Sequence, residues 1–176
     1  MQYLNTVLAF AAAVAAVDIK SHGESHCKGT ERVYVNAKTN QCYAGGGISY
    51  AWSFNAIPTN WNLQTRSHKD GNCKTLVHAW NSNGARTVCH GAAVNNLLYT
   101  GAGYSFASKK RSEDTVFNSE DCIWKPDLMT LGDGTTYKLT DVEDETAKII
   151  LAYGDNTTIA ENMPSLFDEY ITQERR

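Results

Sequence analysis

A chain of 176 residues, 42% of them hydrophobic and 20% charged, carries a net charge of −3. That small total hides two opposed regions: residues 17–111 hold eleven Lys/Arg against four Asp/Glu, net +7, and residues 112–176 hold five against fifteen, net −10. No fold requires such a division, so it is a clue to partners; beyond residue 20, no apolar run reaches the ~20 residues of a membrane span.

Residues 1–20 have the form of a secretory signal. The apolar run at 6–17 has the length of a signal core, and the small residues around position 15 suit cleavage after Ala15 or Ala16. The expected organisation is a signal peptide (1–16), a basic domain (17–111) and an acidic segment (112–176), in a secreted, extracellular protein. Secretion makes disulfides the default use of the five cysteines. Their spacings lack the C-x₂₋₄-C pairs of zinc sites, so no metal is expected.

The cysteines expose an internal repeat. Cys27-Lys28 is followed by Cys42-Tyr43-Ala44-Gly45, and Cys73-Lys74 by Cys89-His90-Gly91-Ala92; each unit then runs to an aromatic-Ser-Phe ending, Trp52-Ser53-Phe54 and Tyr104-Ser105-Phe106. Four echoes in one order predict two related units. The simplest pairing puts one bridge in each unit, Cys27–Cys42 and Cys73–Cys89, with crossed pairing left open. An odd count leaves Cys122 unpaired or intermolecular.

Within the units the hydrophobic period is two. Ile48, Tyr50, Trp52 and Phe54 alternate with small residues and predict a strand with one buried face. Further strands are predicted at 32–35, 76–80, 86–90 and 103–107, separated by turn clusters at 45–47, 58–60, 70–72 and 81–84. The result is a small all-β sandwich supplemented by disulfides.

The stretch from Asn62-Leu63-Gln64-Thr65 through Asp70-Gly71-Asn72-Cys73-Lys74-Thr75, Thr87-Val88-Cys89, Thr100-Gly101-Ala102-Gly103-Tyr104 and the basic end Ser108-Lys109-Lys110-Arg111 resembles the γ-crystallin-like killer toxins secreted by yeasts. The resemblance implies a two-unit Greek-key (γ-crystallin-like) sandwich that acts on the surface of competing fungi. The chain has fewer cysteines than those toxins and adds the acidic segment. It lacks the calcium motif of many crystallin domains, so no cofactor is expected.

Lys110-Arg111, followed by Ser112-Glu113, has the form of a site cut by a kexin-type protease in an exposed polar loop; the bland reading is a solvated basic turn. The acidic segment reads as a C-terminal α+β extension. A hairpin is predicted over 128–139, helix or strand over 143–153, and a short amphipathic helix over 162–171 with Pro164 in its first turn. It is too hydrophobic to be a disordered tail, and the basic domain is its expected partner. Asn156-Thr157-Thr158 is a glycosylation sequon.

No catalytic motif stands out. The best enzymatic case is a small ribonuclease using His68, His78 or His90 with Glu31 or Asp70 as acid/base and Arg66 or Arg86 on phosphate, but no spacing singles these out. Binding chemistry fits better. Lys28, Arg32, Lys38, Arg66, Lys69, Lys74 and Arg86, with Trp61 as a surface aromatic and Trp52 and Trp80 as core, would draw the domain to an anionic cell-surface component or cell-wall glycan; the plain alternative is a solvated charged face. The expected function is a killer-toxin-like or antimicrobial protein released from its acidic mask by dibasic cleavage. The alternative is an uncleaved effector that binds a host protein or glycan.

Overall fold

The computed structural model describes residues 16–44, 47, 49–91, 98–107 and 121–173. The signal segment up to residue 15, Ile48 and the Lys110-Arg111 site lie outside the described residues. The chain folds as two antiparallel sheets with a small helical extension.

The first sheet is founded on β1 (Val17–Glu24), β2 (Lys28–Ala37) and β3 (Ala51–Asn55), and the second on β4 (Leu63–Lys69), β5 (Thr75–Asn81) and β7 (Gly101–Phe106). Each triplet has its first strand in the centre, in the orders β2-β1-β3 and β5-β4-β7. The register repeats with the order: Lys20 faces Val33 and Ser21 faces Arg32 in one unit, Arg66 faces Ala79 and Ser67 faces His78 in the other. The predicted repeat is therefore structural, at an offset of 46 residues through the first two strands. In the third strand it differs from the sequence reading. Phe54 pairs with Ile19 and Tyr104 with Thr65, so Tyr104 is the counterpart of Phe54 and not of Trp52.

The units interlock by exchanging a segment. β6 (Val88–Gly91), which belongs to the second unit, pairs with β3 of the first sheet. Residues 40–43 of the first unit pair with β7 of the second, through Asn40 N–H to Tyr104 O and reciprocal Tyr43–Ala102 bonds. Between the sheets lies a core of Val17, Ile19, Tyr34, Tyr43, Trp52, Phe54, Leu63, Tyr99 and Tyr104. Aromatics of this size dominate core burial. Tyr34 stacks on Trp52 with centroids 6.3 Å apart and meets Tyr43 at 5.0 Å.

The exchange explains the disulfides. Cys27 bonds Cys89, correcting the one-bridge-per-unit pairing, because the cysteine at the start of each second strand meets the exchanged segment of the other unit. Cys73 stands to Cys42 as Cys27 stands to Cys89, and this symmetric bond is also at bonding distance. Cys122, expected to be unpaired or intermolecular, instead lies at bonding distance from Cys42 as well.

The acidic segment continues the first sheet. β8 (Leu128–Thr130) pairs with β2, β9 (Thr136–Lys138) with β8, and β10 (Ile171–Gln173) with β9, giving the order β10-β9-β8-β2-β1-β3-β6. The ambiguous 143–153 stretch is a helix, α1 (Asp144–Gly154), burying Ala147, Ile150 and Leu151. Residues at spacings of three and four make one apolar stripe, and it packs with Met129, Leu131, Tyr137, Leu139 and Phe167 in a second core. The expected C-terminal helix is two 3-10 turns, Ala160–Asn162 and Ser165–Tyr170, divided at Pro164. Gly154 ends α1 against β8, where a Cβ would overlap Met129 Sδ.

Candidate functional site

The junction between the sandwich and the acidic segment is a polar seam with two depressions. The first, of about 640 Å³, is lined by Ser21, His22, Arg32, Ser49, Tyr50 and Asp155, among others. The second, of about 840 Å³, lies over Lys20, Lys28, Glu31 and the β8–β9 turn. Glu24 and Thr158 border both, so the two are continuous. Both halves of the chain build this surface.

Its fixed point is Arg32. The β1–β2 register turns Ser21 and Arg32 to the same face, and the adjoining β8 places Met129 beside Arg32. α1 packs over Met129, which brings the residue after its end, Asp155, onto the guanidinium as an ion pair. The Arg32 side chain is 6% exposed and that of Asp155 48%, so the pair spans the floor and the opening of the cleft. A cation removed from water needs such a partner, since an unpaired buried charge is costly. The backbone at residue 47 closes on the same group, and a Cβ at Gly47 would lie 3.2 Å from Arg32 Nη1. Thr30 Oγ1 donates to Thr157 O across the seam at 3.5 Å.

His22, on the cleft wall, is held neutral. Burial lowers its pKa to about 4, against the pull of Glu31 and with the help of Lys20. Asn55 Nδ2 donates to Ser53 Oγ (2.8 Å), and His22 Nε2 shares a hydrogen bond with the same hydroxyl, also at 2.8 Å. His22 Nδ1 faces Glu31 Oε1 at 3.8 Å, and that carboxylate is occupied by Lys20 Nζ at 2.6 Å. Tyr50 presents a ring that is 45% exposed. The arrangement offers hydroxyls, amides, two ion pairs and one aromatic face, a set suited to hydrogen-bonding a hydroxylated ligand.

The expected basic surface is redistributed. Arg32 is buried in the ion pair, and Arg66 is buried with Nε donating to Gln64 Oε1 at 2.9 Å, so neither is an exposed cation. Lys28, Lys38, Lys74 and Arg86 are exposed and Lys69 is half-buried. Lys28 opens the ten-residue β2 and Lys38 follows its end, roughly 30 Å away at strand rise, so they do not share a patch. Trp61 is half-buried, edge-on to Phe106 with centroids 5.0 Å apart. Trp80, expected in the core, is 43% exposed and packs on His90. Asn156 is exposed at the cleft rim, with Nδ2 donating to Ala152 O.

The histidines of the ribonuclease reading do gather, but His68 and His90 are buried and only His78 is half-buried. His90 is fully buried, bonded through Nε2 to Thr65 Oγ1 (2.9 Å) and through Nδ1 to Ser67 Oγ (3.0 Å), and edge-on to His78. Burial, helped by His78 and His68, lowers the pKa of His90 to about 3; burial and Arg66 take His68 to about 4. Glu31 is tied to Lys20 in the other sheet, and Asp70 is a turn residue at φ 65°. Sequence reasoning missed His22, Ser49, Tyr50 and Asp155. The only signals were the glycine run at 45–47 and the Gly154-Asp155-Asn156 turn.

The family model ARB_05566_N, described as an N-terminal domain, matches residues 18–127, more than half of the chain, and the chain belongs to that family. The match takes in all five cysteines and stops just before β8. No curated protein and no solved structure matches the chain.

Proposed function

We propose, taking that membership as the premise, that the protein is a secreted recognition domain. It binds a hydroxyl-rich component of a target cell surface, a cell-wall glycan, in the seam between the sandwich and the acidic segment. The observation that carries this reading is the Arg32–Asp155 pair, which runs from the buried floor to the half-exposed opening of a hydroxyl-lined cleft. A paired guanidinium and carboxylate present donors and acceptors in fixed directions, and sugar hydroxyls use both. Tyr50 supplies the face on which a sugar ring packs. Because Asp155 belongs to the acidic segment, the binding unit is the whole molecule, with that segment in place.

The killer-toxin-like reading stands second, and the interlocked two-unit repeat favours it. In that case the exposed Lys28, Lys38, Lys74 and Arg86 contact an anionic surface after a kexin-type cut at Lys110-Arg111. The two readings separate in a pull-down of the intact secreted protein on insoluble chitin, β-glucan and mannan. Glycan recognition predicts retention that survives 0.5 M salt and falls at least tenfold in Tyr50→Ala. Retention that vanishes in salt and ignores Tyr50→Ala supports the cationic reading, because screening removes exposed charge attraction.

A further inference from the structure

The repeat leaves one strand edge unmatched. In the first unit the outer side of β2 is taken by β8, which pairs with Glu31, Arg32 and Val33. At the repeat offset Arg32 and Val33 become His78 and Ala79 of β5, and among the described residues β5 is an edge strand. We propose that this edge is a homodimer interface, in which β5 pairs antiparallel with β5 of a second copy about a two-fold axis at Ala79.

The backbone is set for such a partner. Ser82 N–H donates to Leu63 O at 2.7 Å and Trp80 O accepts from Thr65 Oγ1 at 3.0 Å, so both residues turn these groups toward β4. Alternation along an antiparallel strand then turns the N–H and C=O of Ala79 and Asn81 outward. Val33, the counterpart of Ala79, does the same: its carbonyl accepts from Asp127 N–H at 2.8 Å, just before β8. β5 has a register irregularity opposite Ser67 and His68, a feature that often protects an edge. β2 has one opposite His22 and Glu24, and still receives β8 just beyond it. Other protections are missing, since Thr75–Asn81 contains no Lys, Arg, Asp, Glu or Pro.

The side chains select a copy of the same strand. At the axis Ala79 faces its own image, which its small, exposed side chain allows. Beside it, Trp80 faces His78 of the second copy, and His78 faces Trp80 of the second copy. The rings of His78 and Trp80 already share one face, with centroids 5.0 Å apart, and Trp80 is 43% exposed. Pairing therefore covers the exposed indole twice over, in the self-complementary way that a two-fold interface requires. A contact built on one short strand is small, so the dimer is reversible and depends on concentration. Each copy brings its own cleft; bivalence toward a repetitive glycan rests on the reading above, whereas the pairing does not.

The test is sedimentation velocity of the intact protein between about 1 and 500 μM, a range in which a small interface dissociates. Pairing predicts a rise from the monomer to twice its mass. Ala79→Pro removes an N–H that points away from β4, and Ala79→Lys sets like charges opposite one another at the axis. Each should weaken association by about tenfold or more, and high salt should partly restore it in Ala79→Lys alone. Near-ultraviolet circular dichroism reports whether each variant folds; Ala79→Lys, a change at an exposed side chain, carries the test if Ala79→Pro does not fold. A monomer over the whole range, or a dimer that Ala79→Lys leaves intact, would overturn the proposal.

Discussion

The two repeat units share strand order and register, yet they meet different fates at the outer strand. In the first, β2 receives β8, Arg32 receives Asp155, and Tyr34 is buried with its hydroxyl donating to Trp124 O. In the second, the counterparts on β5 are His78 and Trp80, and Trp80 remains 43% exposed. The symmetric part of the molecule is its scaffold, while the candidate site arises where the acidic segment breaks the symmetry. This is the usual division between a fold and the function grafted on it.

The comparison can be broken most severely at its cross-links. The Cys27→Ser/Cys89→Ser pair opens a 62-residue separation and should cost about 4 kcal/mol in urea unfolding, on the chain-entropy estimate. Next come the equivalent aromatics. Tyr34→Ala should cost about 3–5 kcal/mol as a buried aromatic truncation, and Trp80→Ala about 1 kcal/mol because nearly half its surface stays in water. Equal losses would mean that the units are packed alike.

Acid should act on both units. His22, His68 and His90 have pKa values lowered by burial, so each is neutral in the folded state and protonates near pH 6.5 once unfolded. The unfolded chain binds more protons below that pH. Stability is therefore fully present above pH 6.5 and falls as pH drops toward 4, by roughly 1–3 kcal/mol per histidine. Thermal melts between pH 7.5 and 4 check the slope, and His90→Gln should flatten it. Gly154→Ala, which drives a Cβ into Met129, should cost about 1–3 kcal/mol, because overpacking is confined to the second core. Asp155→Asn removes the charge paired with buried Arg32, from a half-exposed position, and should cost about 1–3 kcal/mol, with a larger loss in glycan retention.

Much of the scaffold was legible because apolar alternation and turn residues agree in β2, β3, β5 and β7 and in the β8–β9 hairpin. β4 was not, because of its inward positions only Leu63 is apolar, while Thr65 and Ser67 serve His90 and break the apolar stripe. β1 sits at the end of the signal-like stretch and continues into polar Ser21 and His22. The disulfide pairing was hidden for a topological reason: sequence spacing favours Cys27–Cys42, but segment exchange places Cys27 in the β1–β2 turn of the first sheet and Cys42 on the segment that bonds to β7 of the second. The site was least legible. Arg32 looked like one cation among many, and only the pairing of β8 with β2 brings Asp155, 123 residues later, to meet it.

The partner of Cys27 tests the interlocked scaffold most directly. Non-reducing digestion of the folded protein should yield a peptide joining Cys27 to Cys89, as segment exchange requires. A peptide joining Cys27 to Cys42, with Cys73 joined to Cys89, would mean that each unit closes on itself, and would contradict the sandwich on which the cleft is built.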